Sequence, residues 1–419
     1  MSTLEEVLSE AYKLVIPSEE EEKRIREVTQ KVKRLVSQII EEGGIDALVD
    51  VYGSGARGTW LPGQRDIDIF VVLNDRRIKP EDVVKILTSR FTTLGLNWAL
   101  RYAQHPYVSL QVDDYEVDIV PCYKIQPGER PITAADRSPL HHKFLSERLK
   151  KDQILDVRLL KLFLKTIGVY GAEIKTEGFS GYLTELLVVY YGSFIEVLRA
   201  ASRWRPYKTY ITFVETSAKF KSPLVVVDPV DPNRNAAAAV SLTSMSTLIL
   251  AARRFLKKPS LSYFQPSRGY AIRQVETVEV VYPYPGEPPD IVWGKYKRIG
   301  RNLFKWLREC GFKVFRWGVE SDEKTYVKLV YVVEQTKLAP YTLHKGPPVY
   351  DDAVDAFIEK YVNEEVIGPF VVGARAYVIK KRKWTDISHC INAKLGKGNY
   401  DIRVNLYDGD LVRKTPWLT

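Results

Sequence analysis

Residues 47–73 impose more on this chain than any other stretch. Ala47 to Tyr52 is an apolar run of strand composition, broken at Gly53-Ser54-Gly55. After Arg57 comes a second run, Asp66-Ile67-Asp68-Ile69-Phe70-Val71-Val72-Leu73. Alternate residues of a strand share a face. Asp66 and Asp68 therefore point one way, and Ile67, Ile69 and Val71 point the other way, toward a core. Two carboxylates held side by side repel unless a cation lies between them. A hard divalent ion with oxygen ligands suits them, and Mg2+ commonly bridges carboxylates to phosphates. The glycines beside Ser54 let backbone N–H groups approach an anion, and a helix start after them would add its positive end.

The chain has 419 residues, room for two to four domains with cores of their own. Its net charge of +10 and pI of about 9.2 point to a polyanionic partner or to anionic lipid. The sequence has no N-terminal apolar targeting segment and no run long enough to span a bilayer, so a soluble, cytoplasmic protein is expected. Cys122, Cys310 and Cys390 are odd in number and far apart, which predicts no disulfide framework. His389-Cys390 has no metal-ligand companion at the usual spacing and reads as structural. Two methionines and plentiful charge fit a heat-adapted protein.

In chain order, residues 1–16 predict a short amphipathic helix. Ser18 with Glu21 forms a capping box for a longer one that carries Ile25, Val28, Val32, Leu35, Val36 and Ile39 at helical spacing and stops at Gly43-Gly44. Pro80 begins another. Tyr107–Val112 and Tyr115–Val120 predict a hairpin turning at Asp113-Asp114. Asp118 lies on its return strand, and Glu116 shares the same face.

Residues 136–265 read as helical. Ser138-Pro139 caps a helix carrying His141, Asp152 opens the next, and Ser180 to Gly192 is apolar enough to be buried. Lys161, inside an apolar run, reads as a surface lysine whose stem packs while its ammonium reaches water. Leu224–Val227 predicts a short strand. A Pro-stiffened loop follows in which Arg234 reads as solvated, with Asn233 or Asn235 capping a helix from Ala236. Residues 266–350 read strand, helix, strand, strand: Val275–Tyr282, Tyr296–Cys310, Phe312–Val319 and Tyr326–Gln335. That order is RRM-like, although the aromatic RNP phrases are absent. Basic and aromatic residues interleave over Trp293, Tyr296, Arg298, Arg301 and Trp306, and again at Lys380-Lys381-Arg382-Lys383-Trp384. Such interleaving suits RNA backbone contact and base stacking.

Gly53-Ser54 followed by Asp66-x-Asp68 resembles the signature of the DNA polymerase β-type nucleotidyltransferases. The fuller phrase Gly53-Ser-Gly-Ala-Arg-Gly-Thr-Trp60, with Asp66-Ile-Asp-Ile-Phe70, resembles the archaeal (class I) CCA-adding enzymes, the tRNA nucleotidyltransferases. The phrases Asp136–Lys143, Val157–Lys161, Val169–Glu173, Phe179–Leu186, Asp228–Asn235 and His344–Pro348 are similar to that family too. The resemblance implies an α+β multidomain architecture. A polymerase β-like head (1–135, a mixed sheet with helices) would precede a helical central domain (136–265) and an α+β RNA-binding region (266–419). It implies template-independent addition of C, C and A to the 3′ end of tRNA from CTP and ATP. Asp66, Asp68 and Asp118 would then be catalytic and hold two Mg2+ ions. Gly53, Ser54, Arg57, His141, Lys161 and Tyr170 would contact triphosphate and ribose, and Arg234 would read the base. Arg298, Arg301, Lys380, Lys381, Arg382 and Trp384 are the candidate RNA contacts, and a homodimer is expected. Rival readings are a poly(A) polymerase or an oligoadenylate synthetase on the same head, an inactive RNA-binding homologue, and a small-molecule nucleotidyltransferase.

Overall fold

A computed structural model describes residues 3–102, 106–265, 275–405 and 407–412. The chain forms two compact units divided near residue 267. The boundary expected at 265/266 adjoins residues 266–274, which lie outside the described residues.

In the first unit, α1 (Leu4–Lys13) and α2 (Glu19–Glu42) each start on a complete capping box, Thr3 with Glu6 and Ser18 with Glu21. β1 (Ala47–Val51) leads through the one-turn helix α3 (Gly53–Arg57) to β2 (Asp66–Leu73). After α4 (Pro80–Thr93) come β3 (Trp98–Tyr102), β4 (Pro106–Val112) and β5 (Tyr115–Tyr123). These strands make one sheet in the order β1-β2-β5-β4-β3. β2 and β5 are parallel and the other pairs antiparallel. Strand β3 was not legible in the sequence. One sheet face, with Ile67, Ile69, Val71, Val117 and Ile119, packs on the apolar stripe of α2 and on α4. The opposite face is divided. Toward the end of β2, Phe70 and Val72 form a small core with Tyr52 and Cys122. At its start, the same face carries Asp66 and Asp68.

The central segment has α5 (Ser138–Arg148), α6 (Gln153–Thr166), α7 (Gly181–Tyr191) and α8 (Phe194–Ala201). It is not wholly helical. β6 (Thr209–Ile211), β7 (Leu224–Asp228) and β8 (Asp231–Asn235) form a small sheet before α9 (Leu242–Lys257). The expected helix start at Ala236 is therefore displaced, and Ser241 is the cap of α9. Asn235 bonds instead to Val226, Ala237 and Leu224, tying the β7–β8 hairpin together. Ser138 does not act as a cap either, because it is already the first residue of α5. Helix α1 packs with these central helices through Val7 and Ala11, not with the β1–β5 sheet. Among the described residues no single helix is long and apolar enough to cross a membrane. α7 and α8, apolar together, are bent by 93° and lie in this core.

The second unit contains β9 (Glu276–Pro283), α10 (Pro289–Glu309), β10 (Val314–Ser321) and β11 (Tyr326–Val333). Then follow β12 (Tyr341–Pro348), α11 (Ala353–Val362), β13 (Ile367–Val372), β14 (Arg375–Lys381), α12 (Ile387–Leu395) and β15 (Asp401–Val404). The larger sheet runs β10-β11-β9-β15. With β12 to β14 and α11 taken as an insertion, the chain order is the strand-helix-strand-strand-helix-strand of ferredoxin-like and RRM folds. The RRM-like order expected from the sequence is thus present, with α10 beginning earlier than expected, at its proline. His344 to Pro348 belongs to β12 and pairs with β14 across an irregularity. Gly346 is required there, because a Cβ would meet the Phe357 ring at 2.7 Å.

The cysteine expectation is overturned. Cys310, after α10, and Cys390, on α12, form a disulfide across 80 residues. Separation in sequence says nothing of distance once two helices pack on one sheet, and only the fold brought the pair together.

Candidate functional site

The acidic edge follows from strand register. Parallel pairing places Asp68 beside Asp118 and Asp66 beside Glu116. Neighbouring strands lie about 4.8 Å apart, so Asp66, Asp68 and Asp118 share one sheet face at one end. Glu116 is otherwise engaged. It accepts from Ser109 Oγ at 2.7 Å and Arg101 Nη2 at 3.1 Å, and these partners, Ser109 first, hold its pKa low.

The three aspartates behave in the opposite way. Burial raises Asp68 to about 6, with Asp118 and then Asp66 adding repulsion. Asp66 is raised by burial and then by Glu116. Asp118 is raised by burial, against the pull of Ser109. Asp118 Oδ1 is buried without a hydrogen-bond partner, and an orphaned acceptor of that kind costs about 1–3 kcal/mol. As the side chains lie, no three His, Cys, Asp or Glu groups among the described residues close on a common point. The donor set nonetheless fits a hard divalent cation, with oxygen ligands only, raised pKa values and an unsatisfied acceptor. Gly53 sits at φ +70°, and a Cβ there would meet Asp68 Oδ2 at 2.8 Å. Any side chain at this position would strain the backbone and push Asp68 aside.

The turn after β1 is anchored from behind. Helix α3 is only five residues long, too short to develop the expected dipole, so its contribution is its local amides and the Ser54 hydroxyl. Arg57 Nη2 donates to Glu185 Oε2 at 2.6 Å, and Thr59 Oγ1 donates to Glu185 Oε1. Lys161 is 1% exposed, and its Nζ donates to the Thr59 carbonyl at 2.9 Å with Glu185 Oε1 at 3.8 Å. It is therefore not the snorkelling surface lysine that its sequence context predicts. Burial pushes its pKa down while Glu185 pulls it up. A Cβ on Gly181 would lie 3.2 Å from the Tyr170 hydroxyl and 3.7 Å from Lys161 Nζ. Both candidates thus converge where α7 begins. Glu185 was passed over in the sequence; the signal was an acid inside an otherwise apolar helix.

His141 and Arg234 meet on a second carboxylate that the sequence did not announce. Asp228, at the end of β7, accepts from His141 Nε2 at 2.9 Å, Arg234 Nη1 at 2.6 Å and the Tyr182 hydroxyl at 3.0 Å. Burial would raise its pKa, but the bond and charge of His141, then Arg234, outweigh it and leave Asp228 at about 2. An ionised carboxylate only accepts, so the His141 proton is on Nε2, and burial keeps that imidazole's pKa low. Arg234 is partly solvated, its side chain 36% exposed, but it is not free, because one arm is held by Asp228. It lines a cleft of about 880 Å³ between the 128–134 loop and β8, with Arg137 and Asp231 paired at 2.8 Å on the same wall.

The second unit divides the candidate RNA contacts. Arg298 and Arg301 on α10 and Lys381 on β14 are exposed, and Lys380 lies over the Tyr361 ring. Trp293 and Tyr296 are core residues, and Trp306 donates to the Cys390 carbonyl. They are not free to stack on bases, because the apolar face of α10 claims them. Trp384 is half-buried against the same core, and Arg382 Nε is buried without a partner.

Comparison with known proteins covers the chain almost end to end. Residues 25–141 match the nucleotidyltransferase domain, 155–265 the second domain of tRNA nucleotidyltransferase, and 273–400 the C-terminal domain of the CCA-adding enzyme. The chain is 71% identical to a CCA-adding enzyme of Pyrobaculum neutrophilum over the whole of both sequences. It is 39% identical to one of Sulfurisphaera tokodaii, over 99% of this chain and 100% of that one. Among solved structures, the Cid1 poly(U) polymerase bound to MgATP superposes with a TM-score of 0.50 at 15% identity. That match spans 62% of this chain and 97% of that one, and at such identity it speaks to the fold alone.

Proposed function

This chain belongs to the CCA-adding enzymes, and from that premise we propose that it adds C, C and A to the 3′ end of tRNA from CTP and ATP without a nucleic-acid template. The terminal ribose hydroxyl of the RNA attacks the α-phosphorus in line. A new O–P bond forms, the α–β phosphoanhydride bond breaks, and pyrophosphate leaves. Asp66 and Asp68 would hold one divalent ion, Mg2+, on the triphosphate and, with Asp118, a second beside the hydroxyl. Divalent ions held by these carboxylates would neutralise developing charge and lower the hydroxyl's pKa. Asp118, with its unpartnered Oδ1, is also the carboxylate suited to take the hydroxyl proton. Ser54 and the amides after Gly53 would meet the triphosphate, with Arg57 and Lys161 behind them as fixed cations. Tyr170 and His141 would touch ribose and phosphate. Arg234, forked and always charged, would read the base at the cleft.

The observation that carries this reading is the parallel register that seats Asp118 beside Asp68. Its test is an extension assay on tRNA lacking its end. The expected result is CMP, CMP and AMP added in fixed order with Mg2+. Use of ATP alone would instead indicate a poly(A) polymerase, and no extension an inactive homologue. We further propose three working parts, 1–135, 136–265 and 266–419. The last would bind the tRNA through Arg298, Arg301, Lys380, Lys381, Arg382 and the Trp384 edge. A homodimer acting in the cytoplasm is the proposed working form, and sedimentation at micromolar concentration checks the dimer.

A further inference from the structure

Asp228 is fully buried, and both its oxygens are in use. Oδ2 takes His141 Nε2 and Arg234 Nη1; Oδ1 takes the Tyr182 hydroxyl and, at 3.1 Å, the Val230 amide. The His141 ring also stacks on Tyr182, with centroids 3.9 Å apart. We propose that Asp228 is the positioning residue of the nucleotide site, one fixed carboxylate from which both the base-reading arginine and the neighbouring histidine are set. The inference rests on the functional reading above.

Three observations converge on it. First, Arg234 is gripped by one arm, leaving the rest of its fork to the cleft it lines. An arginine that must find its pose anew loses rotamer freedom on binding, and a charge-assisted bond made beforehand removes much of that cost. Second, the grip fixes the His141 tautomer, so Nδ1 is the atom left for a ligand. Third, Asp228 is itself rigid. It ends a strand whose hairpin partner is tied down by Asn235. A pocket built from pre-placed hydrogen-bonding groups rejects a base with the wrong donors and acceptors far better than a mobile one does. Asp228 thus serves the choice of C and A over U and G without touching the base.

The test is steady-state addition to tRNA lacking its 3′ end, with Mg2+ and each of the four nucleotides in turn. Wild type, D228N, R234A and the double variant are compared. D228N is expected to raise KM for CTP and ATP by about 10–100-fold, to change kcat less, and to narrow the preference over UTP and GTP. On the R234A background D228N should add a smaller loss than it does in the wild type, because only its hold on His141 is left to lose. A merely structural role would lower the melting temperature and the active fraction while leaving KM and the preference alone. That outcome, or equal losses on both backgrounds, overturns the proposal. If D228N fails to fold, Asp228→Glu keeps the charge while displacing the arginine head, and it is read the same way. Wild type that adds neither CMP nor AMP sinks the functional reading and this inference with it. An active wild type with an unaltered D228N sinks this inference alone.

Discussion

Asp68 is under opposed demands: the reaction needs it ionised, and its surroundings resist ionisation. Its carboxyl rises from 3.8 to about 6 on folding. A raised acid contributes stability that is present below the unfolded value and is lost as pH climbs through the folded one. Without divalent ions, the protein should therefore lose about 1–3 kcal/mol from this group between pH 4 and pH 7. Asp68→Asn should recover most of it, seen as a higher melting temperature at pH 8 that narrows when Mg2+ is added. Asp68→Ala and Asp118→Ala should each abolish nucleotide addition and keep the circular dichroism of the wild type; activity surviving in either would refute the carboxylate assignment. Gly53→Ala should cost about 1–2 kcal/mol for its left-handed backbone. It should also cut activity by displacing Asp68, as the melting curve and extension rate would report. Asp66 and Asp68 were legible because alternation along a strand marks a shared face, whereas Asp118 was separated from Glu116, on its own face, only by the resemblance. Glu185 and Asp228 were not legible, because an isolated acid carries no periodic signal and its worth depends on partners distant in sequence.

At the scale of elements, α7 matters for what it inserts under the glycine turn. Glu185 on that helix is the common partner of Arg57, Thr59 and Lys161, all drawn from elsewhere in the chain. Glu185→Ala would strand two buried cations, and we expect a loss of about 3–5 kcal/mol in urea unfolding. Glu185→Gln, which keeps hydrogen bonding, should lose less. The helix start capped by Ser18 was readable because the cap bond is local, whereas the caps read at Ser138 and at Asn233 or Asn235 lie elsewhere, at Arg137 and Ser241. The β7–β8 hairpin was half-read. Its first strand is an apolar run, but its second, Asp231 to Asn235, has no strand composition and is held by the Asn235 side chain.

For the molecule as a whole, the least foreseeable feature is the Cys310–Cys390 bridge. It closes an 80-residue loop within the second unit, and a loop of that size gains about 2–4 kcal/mol from the cross-link. Cys310→Ser, or reduction with dithiothreitol, should lower the unfolding midpoint of that unit accordingly, as followed by tryptophan fluorescence.

Local chemistry was enough to fix the strand-turn-strand, the capped helices and the acidic pattern, since each depends on residues within a few positions of one another. The tertiary structure alone decided which strand would lie beside Asp68, which buried acids would hold Arg57, Lys161, His141 and Arg234, and which cysteines would meet. Those choices are made by packing, and packing joins residues whose separation along the chain carries no information about their separation in space.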